Sequence, residues 1–306
     1  MDIARVKEYL GAEWTAVQEC IAGSLESDID LLNQTNRSIL SHSGKQLRPI
    51  LALLTARACS ADGCASEATV RYAAAAELMH NATLLHDDVA DDSDQRRGMP
   101  TIRSLMGPTV SVLLGDYWLV KAMDLILGSH EADSQVIRIF SKTLSDLAEG
   151  ELLQLQKAQS GDTVEEDYLR IIYSKTASLF EASCVSAALS VGASEDTVEA
   201  MRAYAVDLGR AFQIKDDLLD YDGTESVGKP LGVDILEQKM TMPLLGALTN
   251  AGPDEDKRVR ALVRDIVGHP EHRDEIVDFV KRNGGMKYAS DRLDFYVDQA
   301  VEALNV

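Results

Sequence analysis

From Thr109 to Lys229 the chain runs without a single proline, so nothing in that long interval forbids one helix after another. Apolar residues within it recur at helical spacing. Over 164–193, Tyr168, Ile171, Ile172, Leu179, Phe180 and Cys184 share one face, and a glycine follows where a helix can be capped. Residues 109–128 are apolar nearly all round, the pattern of a central helix. Residues 68–92 predict a long, Ala-rich helix, and 194–222 predict another. Aromatic residues make up only 5% of the chain, and no Asn-Gly or Asp-Gly pair separates alternating runs, so strands are not expected. Residues 223–234, GTESVGKPLGVD, read as a loop. No composition break or repeat divides the 306 residues. The prediction is a single all-α domain, a helical bundle of roughly ten or more helices.

The 50 acidic residues outnumber the 30 basic ones, giving a net charge of −20. Nucleic acid is excluded as a partner because no basic footprint exists to neutralise phosphates. If the substrate is anionic, metal ions or local arginines must overcome this background. Four cysteines (Cys20, Cys59, Cys64, Cys184) match neither a zinc pattern nor a disulfide framework and are expected as reduced core thiols. The charged N-terminus is no signal peptide, and no apolar run is long enough to span a bilayer. A soluble, cytoplasmic protein is expected.

Two of the predicted helices close on the same pattern. Asp87, Asp88 and Asp91 form DDxxD in LLHDDVADDSDQRRG, and Asp216, Asp217 and Asp220 repeat it in FQIKDDLLDYDG. Residues three and four apart share a helix face, so each trio projects together. Like charges at this spacing destabilise a helix, and its C-terminal dipole disfavours them by a further ~0.3–1 kcal/mol each. One such cluster in so acidic a chain reads equally as a solvated face. Two copies beside apolar helical sequence point to a cation, and hard oxygen ligands that bridge to phosphate suit Mg²⁺. If the two helix ends face one another, they form a pocket for a metal-bound diphosphate.

Basic residues stand near these acids. Arg96 and Arg97 follow the first cluster directly. In SGKQLRP, Lys45 and Arg48 flank a turn, and the proline after them is placed to open the next helix; the alternative is an ordinary exposed turn. Lys175-Thr176, Lys229 and Lys239 are weaker signals taken singly. His80, two turns before Asp87 on the same face, reads as a ligand or as a core histidine.

Taken in order, GKQLRP, LLHDDVADDSDQRRG, KTA at 175–177, FQIKDDLLDY and GKPLGVD resemble the trans-polyprenyl diphosphate synthases over residues 40–245, with 246–306 as C-terminal helices. The resemblance implies an all-α bundle around a deep cavity, a homodimer, and about three Mg²⁺ ions per site with diphosphate bound. It implies that Asp87, Asp88, Asp91, Asp216, Asp217 and Asp220 hold those ions on an allylic diphosphate, which Arg96 also binds. Lys45, Arg48, His80 and Arg97 would take isopentenyl diphosphate. Lys175, Thr176, Gln213 and Lys229 would line the allylic site, with Lys239 near it. A peripheral membrane contact for product release is a further implication. Two stretches depart from the family pattern. After RRGMPT the family often has Asn and then a small polar residue, whereas Ile102 and Arg103 follow here. Before the counterpart of Lys239 it commonly has Gly, whereas Gln238 stands here.

Ala82 and Thr83 occupy the fifth and fourth positions before Asp87, where short-chain members carry a bulky aromatic floor. Small side chains there resemble the long-chain enzymes, so the expected product is a long all-trans polyprenyl diphosphate of octaprenyl type, for a quinone side chain. Trp118 and Met123 are candidates for a deeper floor or for core packing. The alternatives are a farnesyl or geranylgeranyl diphosphate synthase, a class I terpene cyclase, and a non-catalytic partner subunit. The cyclase is disfavoured by the intact second DDxxD, and the partner subunit by the survival of both motifs.

Overall fold

The structure, a computed structural model, describes residues 2–96, 98–128, 134–222 and 232–305. About four-fifths of them are helical, as the periodicity predicts. The Ala-rich segment is Glu67–Ala90, and it opens on a capping box. Ser66 Oγ accepts from Thr69 N at 3.0 Å, and Thr69 Oγ1 accepts from Ser66 N at 3.1 Å. The segment at 109–128 is Pro108–Leu127, with proline in the first turn, where its missing N–H costs nothing. The fourth predicted helix is Glu195–Asp222. The pattern over 164–193 becomes Glu165–Ile172, a single π turn at Tyr173–Ala177, and Ser178–Ser190. Gly192, at φ +72°, follows it.

The expectation of no strand is corrected at one place: Gln95–Arg96 pairs antiparallel with Met99–Pro100. Of the predicted loop at 223–234, only its last three residues are described, and Val233–Leu236 is a short helix. A second correction concerns Pro49. It stands at the third position of helix Leu47–Cys59, which opens two residues earlier, after Gln46 in the left-handed region. A third concerns the cysteines: none is paired, but only Cys184 is buried, and Cys64 is exposed. Among the described residues no helix is long and apolar enough to cross a membrane.

The chain divides into two compact units, Met1–Ser141 with Ala182–Arg202, and Lys142–Glu181 with Ala203–Val306. In the first, Glu67–Ala90 is the central element, and every residue from Tyr72 to Met79 is buried. Helix Pro108–Leu127 packs on it at Gly115, where an added Cβ would lie 2.3 Å from His86 Nε2. That contact seats the imidazole 3.3 Å from Val112 O and 3.3 Å from Asp116 Oδ1. Trp118, on the same helix, is fully buried and donates from Nε1 to Asn36 Oδ1 at 2.9 Å; Asn36 Nδ2 donates in turn to Leu25 O at 3.0 Å. Trp118 is therefore a core residue of this unit. The second unit is built on Met242–Asn250 and Gly285–Glu302, whose close approach leaves no room for a Cβ at Gly246 or Gly285.

Trp118→Phe keeps most of the apolar volume but leaves the buried Asn36 oxygen without its donor. A loss of about 1–3 kcal/mol is expected, measured by denaturant unfolding.

Candidate active site

In the first unit, Asp87 and Asp88 occupy the last turn of Glu67–Ala90, and Asp91 is its C-cap. Asp88 is buried, Asp87 half-buried and Asp91 exposed. Arg96, on the short ribbon, donates from Nε to Asp88 Oδ1 at 2.7 Å. Burial pushes the Asp88 carboxyl up, against the opposing pull of Arg96. His80, Thr83 and Asp87 lie three and four residues apart and are all half-buried on one stripe; Thr83 Oγ1 donates to His80 O at 2.8 Å. Ala82 is fully buried. Lys45 is exposed beside its helix start, whereas Arg48 is buried within the first turn. Arg97 lies outside the described residues.

In the second unit the DDxxD carboxylates have three different environments. Asp216 is exposed. Asp217 is buried and accepts from Tyr168 Oη at 2.5 Å and Gln213 Nε2 at 3.0 Å. The Asp220 carboxylate accepts from the backbone N–H groups of Val233 (3.1 Å) and Asp234 (3.2 Å), fixing the short helix against the end of Glu195–Asp222. Burial raises Asp217 to about 6, with Asp216 adding to the rise against its hydrogen bonds. Burial likewise raises Asp234 to about 8, helped by Asp217 and Asp220. Asp234 belongs to the GKPLGVD stretch, yet the sequence pattern alone assigns it no role. Lys229 lies outside the described residues.

Lys175 and Thr176 sit in the π turn. Ser178 N donates to Tyr173 O, the longer reach that defines the turn, and Ser178 Oγ satisfies the carbonyl of Ser174 at 2.7 Å. Two glycines make room for it. A Cβ on Gly150 would fall 2.5 Å from Ser174 Cβ and 3.2 Å from Lys175 Cγ; a Cβ on Gly209 would fall 2.5 Å from Ala177 Cα. Lys175 Nζ pairs with Glu151 and donates to Gln154 Oε1 at 3.2 Å. Thr176 Oγ1 donates to Gln213 Oε1 at 2.9 Å, and Gln213 Nε2 donates in turn to Asp217 Oδ1 at 3.0 Å. Thr176, Gln213 and Asp217, three predicted site residues, thus form one chain of hydrogen bonds. Lys239 pairs with Glu237, and Gln238 before it has φ +59°. That left-handed backbone is what a glycine at this position would accommodate; here Gln238 adopts it while its Nε2 donates to Arg264 O at 2.7 Å.

Sequence pattern did not single out Gly150, Gly209, Glu151 and Gln154, and it read Tyr168 only as part of an apolar helix face. The string AEGELLQLQ around Gly150 held the available signal, a glycine inside an otherwise helical run. Each motif supplies carboxylate oxygens and leaves one acid exposed, and hard oxygens of this kind suit Mg²⁺, which keeps several waters.

Two helices thus end on carboxylates, the first set held by Arg96 and the second linked through Gln213 to Thr176, within an all-α fold. The family model for polyprenyl synthetase matches residues 29–280, and the chain belongs to that family and is a trans-prenyltransferase. It is 37% identical to octaprenyl diphosphate synthase of Escherichia coli (strain K12), over 100% of this chain and 93% of the relative. It is 36% identical to a short chain isoprenyl diphosphate synthase of Methanocaldococcus jannaschii (strain ATCC 43067 / DSM 2661 / JAL-1 / JCM 10045 / NBRC 100440), over 80% of this chain and 74% of the relative. The crystal structure of a decaprenyl diphosphate synthase from Rhodobacter capsulatus superposes with a TM-score of 0.91 at 35% identity, covering 99% of this chain and 92% of the other.

Gly150→Ala forces the π turn to move. If Lys175 and Thr176 serve catalysis as the family resemblance implies, a displacement near 1 Å costs on the order of 10²-fold, so kcat/KM should fall by about that factor while circular dichroism stays unchanged. Adding Ser174→Gly, which removes the atom met at 2.5 Å, should restore part of the loss.

The raised carboxyls give a second prediction. Asp217 and Asp234 are harder to ionise folded than unfolded, so each favours folding while protonated. That contribution is lost as pH rises from the ordinary 3.8 through about 6 for Asp217 and about 8 for Asp234. Metal-free Asp234→Asn should therefore melt above the wild type at alkaline pH and converge with it below about pH 4.

Proposed function

We propose that the protein is a Mg²⁺-dependent, long-chain all-trans polyprenyl diphosphate synthase of octaprenyl type. It condenses isopentenyl diphosphate with an allylic diphosphate in the cytoplasm to supply a quinone side chain. The observation that carries the chain length is the small pair Ala82-Thr83 upstream of Asp87, where no aromatic closes the face that leads away from the first motif. Full-length similarity to an octaprenyl diphosphate synthase supports it. The second reading, a farnesyl- or geranylgeranyl-length product, is favoured by the similarity to a short-chain synthase.

In this reading Asp87, Asp88, Asp91, Asp216, Asp217 and Asp220 would hold the metal ions. Bound Mg²⁺ supplies Lewis-acid neutralisation of the departing pyrophosphate. Arg96 moves from Asp88 to the diphosphate, and Lys175 from Glu151, each adding positive charge where negative charge develops. Lys229 and Lys239 serve the same end. Thr176 and Gln213, ordered through Asp217, orient the leaving group. Lys45, Arg48, His80 and Arg97 hold isopentenyl diphosphate. Its alkene carbon bonds to the allylic carbon as the carbon–oxygen bond breaks, and a proton then leaves the new cation for pyrophosphate. Apolar walls keep water from trapping the cation. A homodimer and a peripheral membrane contact for release complete the proposal.

Labelled isopentenyl diphosphate, primers of several lengths, and Mg²⁺ present or absent test it, with chromatography of the dephosphorylated products. A dominant farnesyl-length product refutes the long-chain assignment, and no incorporation with any primer refutes catalysis. Thr83→Phe, on the half-buried stripe, should shorten the product with little change in Tm. Ala82→Phe should shorten it at a cost of about 1–3 kcal/mol, because that site is already enclosed. Unchanged lengths in both variants would rule out this helix face as the path of the chain.

A further inference from the structure

Helix Glu67–Ala90 ends in a Schellman turn. Ser93 N donates to Asp88 O at 3.0 Å and Asp92 N to Val89 O at 3.3 Å, which puts Asp92 at φ +52°. Glycine favours that position; a side chain persists there only where its surroundings hold it. Arg103 supplies that hold. Its Nη1 donates to Asp94 Oδ1 at 2.7 Å, and its Nη2 donates to the Asp92 carboxylate. The arginine side chain is only 18% exposed, whereas Asp92 and Asp94 are 84% and 78% exposed, so a partly desolvated fork gathers in two carboxylates that otherwise face water.

The same turn is fastened once more. Thr101 N donates to Asp94 O at 3.0 Å, and Thr101 Oγ1 to Ser93 O at 2.8 Å. Between these ties lies the ribbon of Gln95–Arg96 with Met99–Pro100, and from it Arg96 reaches Asp88 at 2.7 Å. Arg103 thus fixes the base of the loop on which Arg96 stands. It is also one of the two residues at which this chain departs from the family pattern after RRGMPT.

We infer that Arg103 is a positioning residue for the allylic diphosphate. By gripping Asp92 and Asp94 it holds the turn in the one shape that keeps Arg96 over the first motif. It also cancels two negative charges that would repel the incoming diphosphate. This inference rests on the reading of Asp87, Asp88, Asp91 and Arg96 given under Proposed function.

The test is a cycle of Arg103→Gln, Asp92→Asn/Asp94→Asn, and the triple variant; asparagine keeps the tolerance for the left-handed region. Steady-state kinetics, isothermal titration with inorganic pyrophosphate and Mg²⁺, and Tm are measured for each. Arg103→Gln should raise KM for the allylic diphosphate about fivefold, the factor a well-formed exposed ion pair supports, and weaken pyrophosphate binding equally. Its kcat should change by less than about twofold. Made in the Asp92→Asn/Asp94→Asn background, the same substitution should add nothing. An unchanged KM overturns the inference, as does an equal effect with and without the aspartates, or a fall in kcat and Tm with KM constant. A wild type that neither condenses substrates nor binds pyrophosphate overturns the functional reading and this inference together. A wild type that does both, with an indifferent Arg103→Gln, overturns this inference alone.

Discussion

Carboxylates gathered at the C-terminal end of a helix repel one another and meet the negative end of its dipole. The organisation of both motifs depends on how the protein's own groups meet that repulsion. At the first motif and the turn that follows it, guanidinium groups take part: Arg96 on Asp88, and Arg103 on Asp92 and Asp94. In the second, neutral donors take part. Asp217 takes a phenol and an amide, and Asp220 takes two backbone N–H groups. The difference has a chemical consequence. An arginine can be handed to an arriving phosphate, whereas a backbone amide that closes a short helix cannot be spared.

Close packing provides the rest of the precision. Gly115 admits the imidazole beside the first motif, and Gly150 and Gly209 admit the π turn that carries Lys175 and Thr176. At each of these positions a methyl group would overlap an atom already in place. A π turn lengthens one hydrogen-bonded loop by a residue and so rotates the next helical segment relative to a plain helix. Thr176 owes its line to Gln213, and through it to Asp217, to that rotation. Donor placement in the second unit is therefore a property of two glycines that carry no chemistry of their own.

Helical periodicity made most of the fold legible. The four long segments read from apolar spacing fall within a few residues of Glu67–Ala90, Pro108–Leu127, Glu195–Asp222 and the interrupted helix from Glu165 to Ser190. The interruption itself was invisible, because a single π turn leaves the apolar spacing of YSKTASLF almost intact. The aspartates and their basic neighbours were legible as a set, but their separate environments were not. Asp216 and Asp217 are the same residue type side by side; only the positions of Tyr168 and Gln213 make one a buried acceptor and leave the other exposed. Asp92 and Asp94 had no partner within sight in the sequence, since Arg103 lies beyond a ribbon that pattern alone did not foretell. Gln238 shows the same limit: a left-handed residue without glycine leaves no mark in a composition.

Helix geometry also divides two positions that sequence reading treats as a pair. Ala82 and Thr83 are both small and both just upstream of Asp87, but successive residues on a helix point about 100° apart. Four residues before Asp87, Thr83 shares its stripe and that of His80; one step earlier, Ala82 turns into the packed interior, where it is fully enclosed. A bulky side chain at the first would obstruct whatever runs along the aspartate face. At the second it must first displace its neighbours, so any effect on a growing chain would be transmitted through the shape of the helix. Size alone is then an incomplete measure of chain-length control, and the direction of the Cβ relative to the first motif is the missing variable.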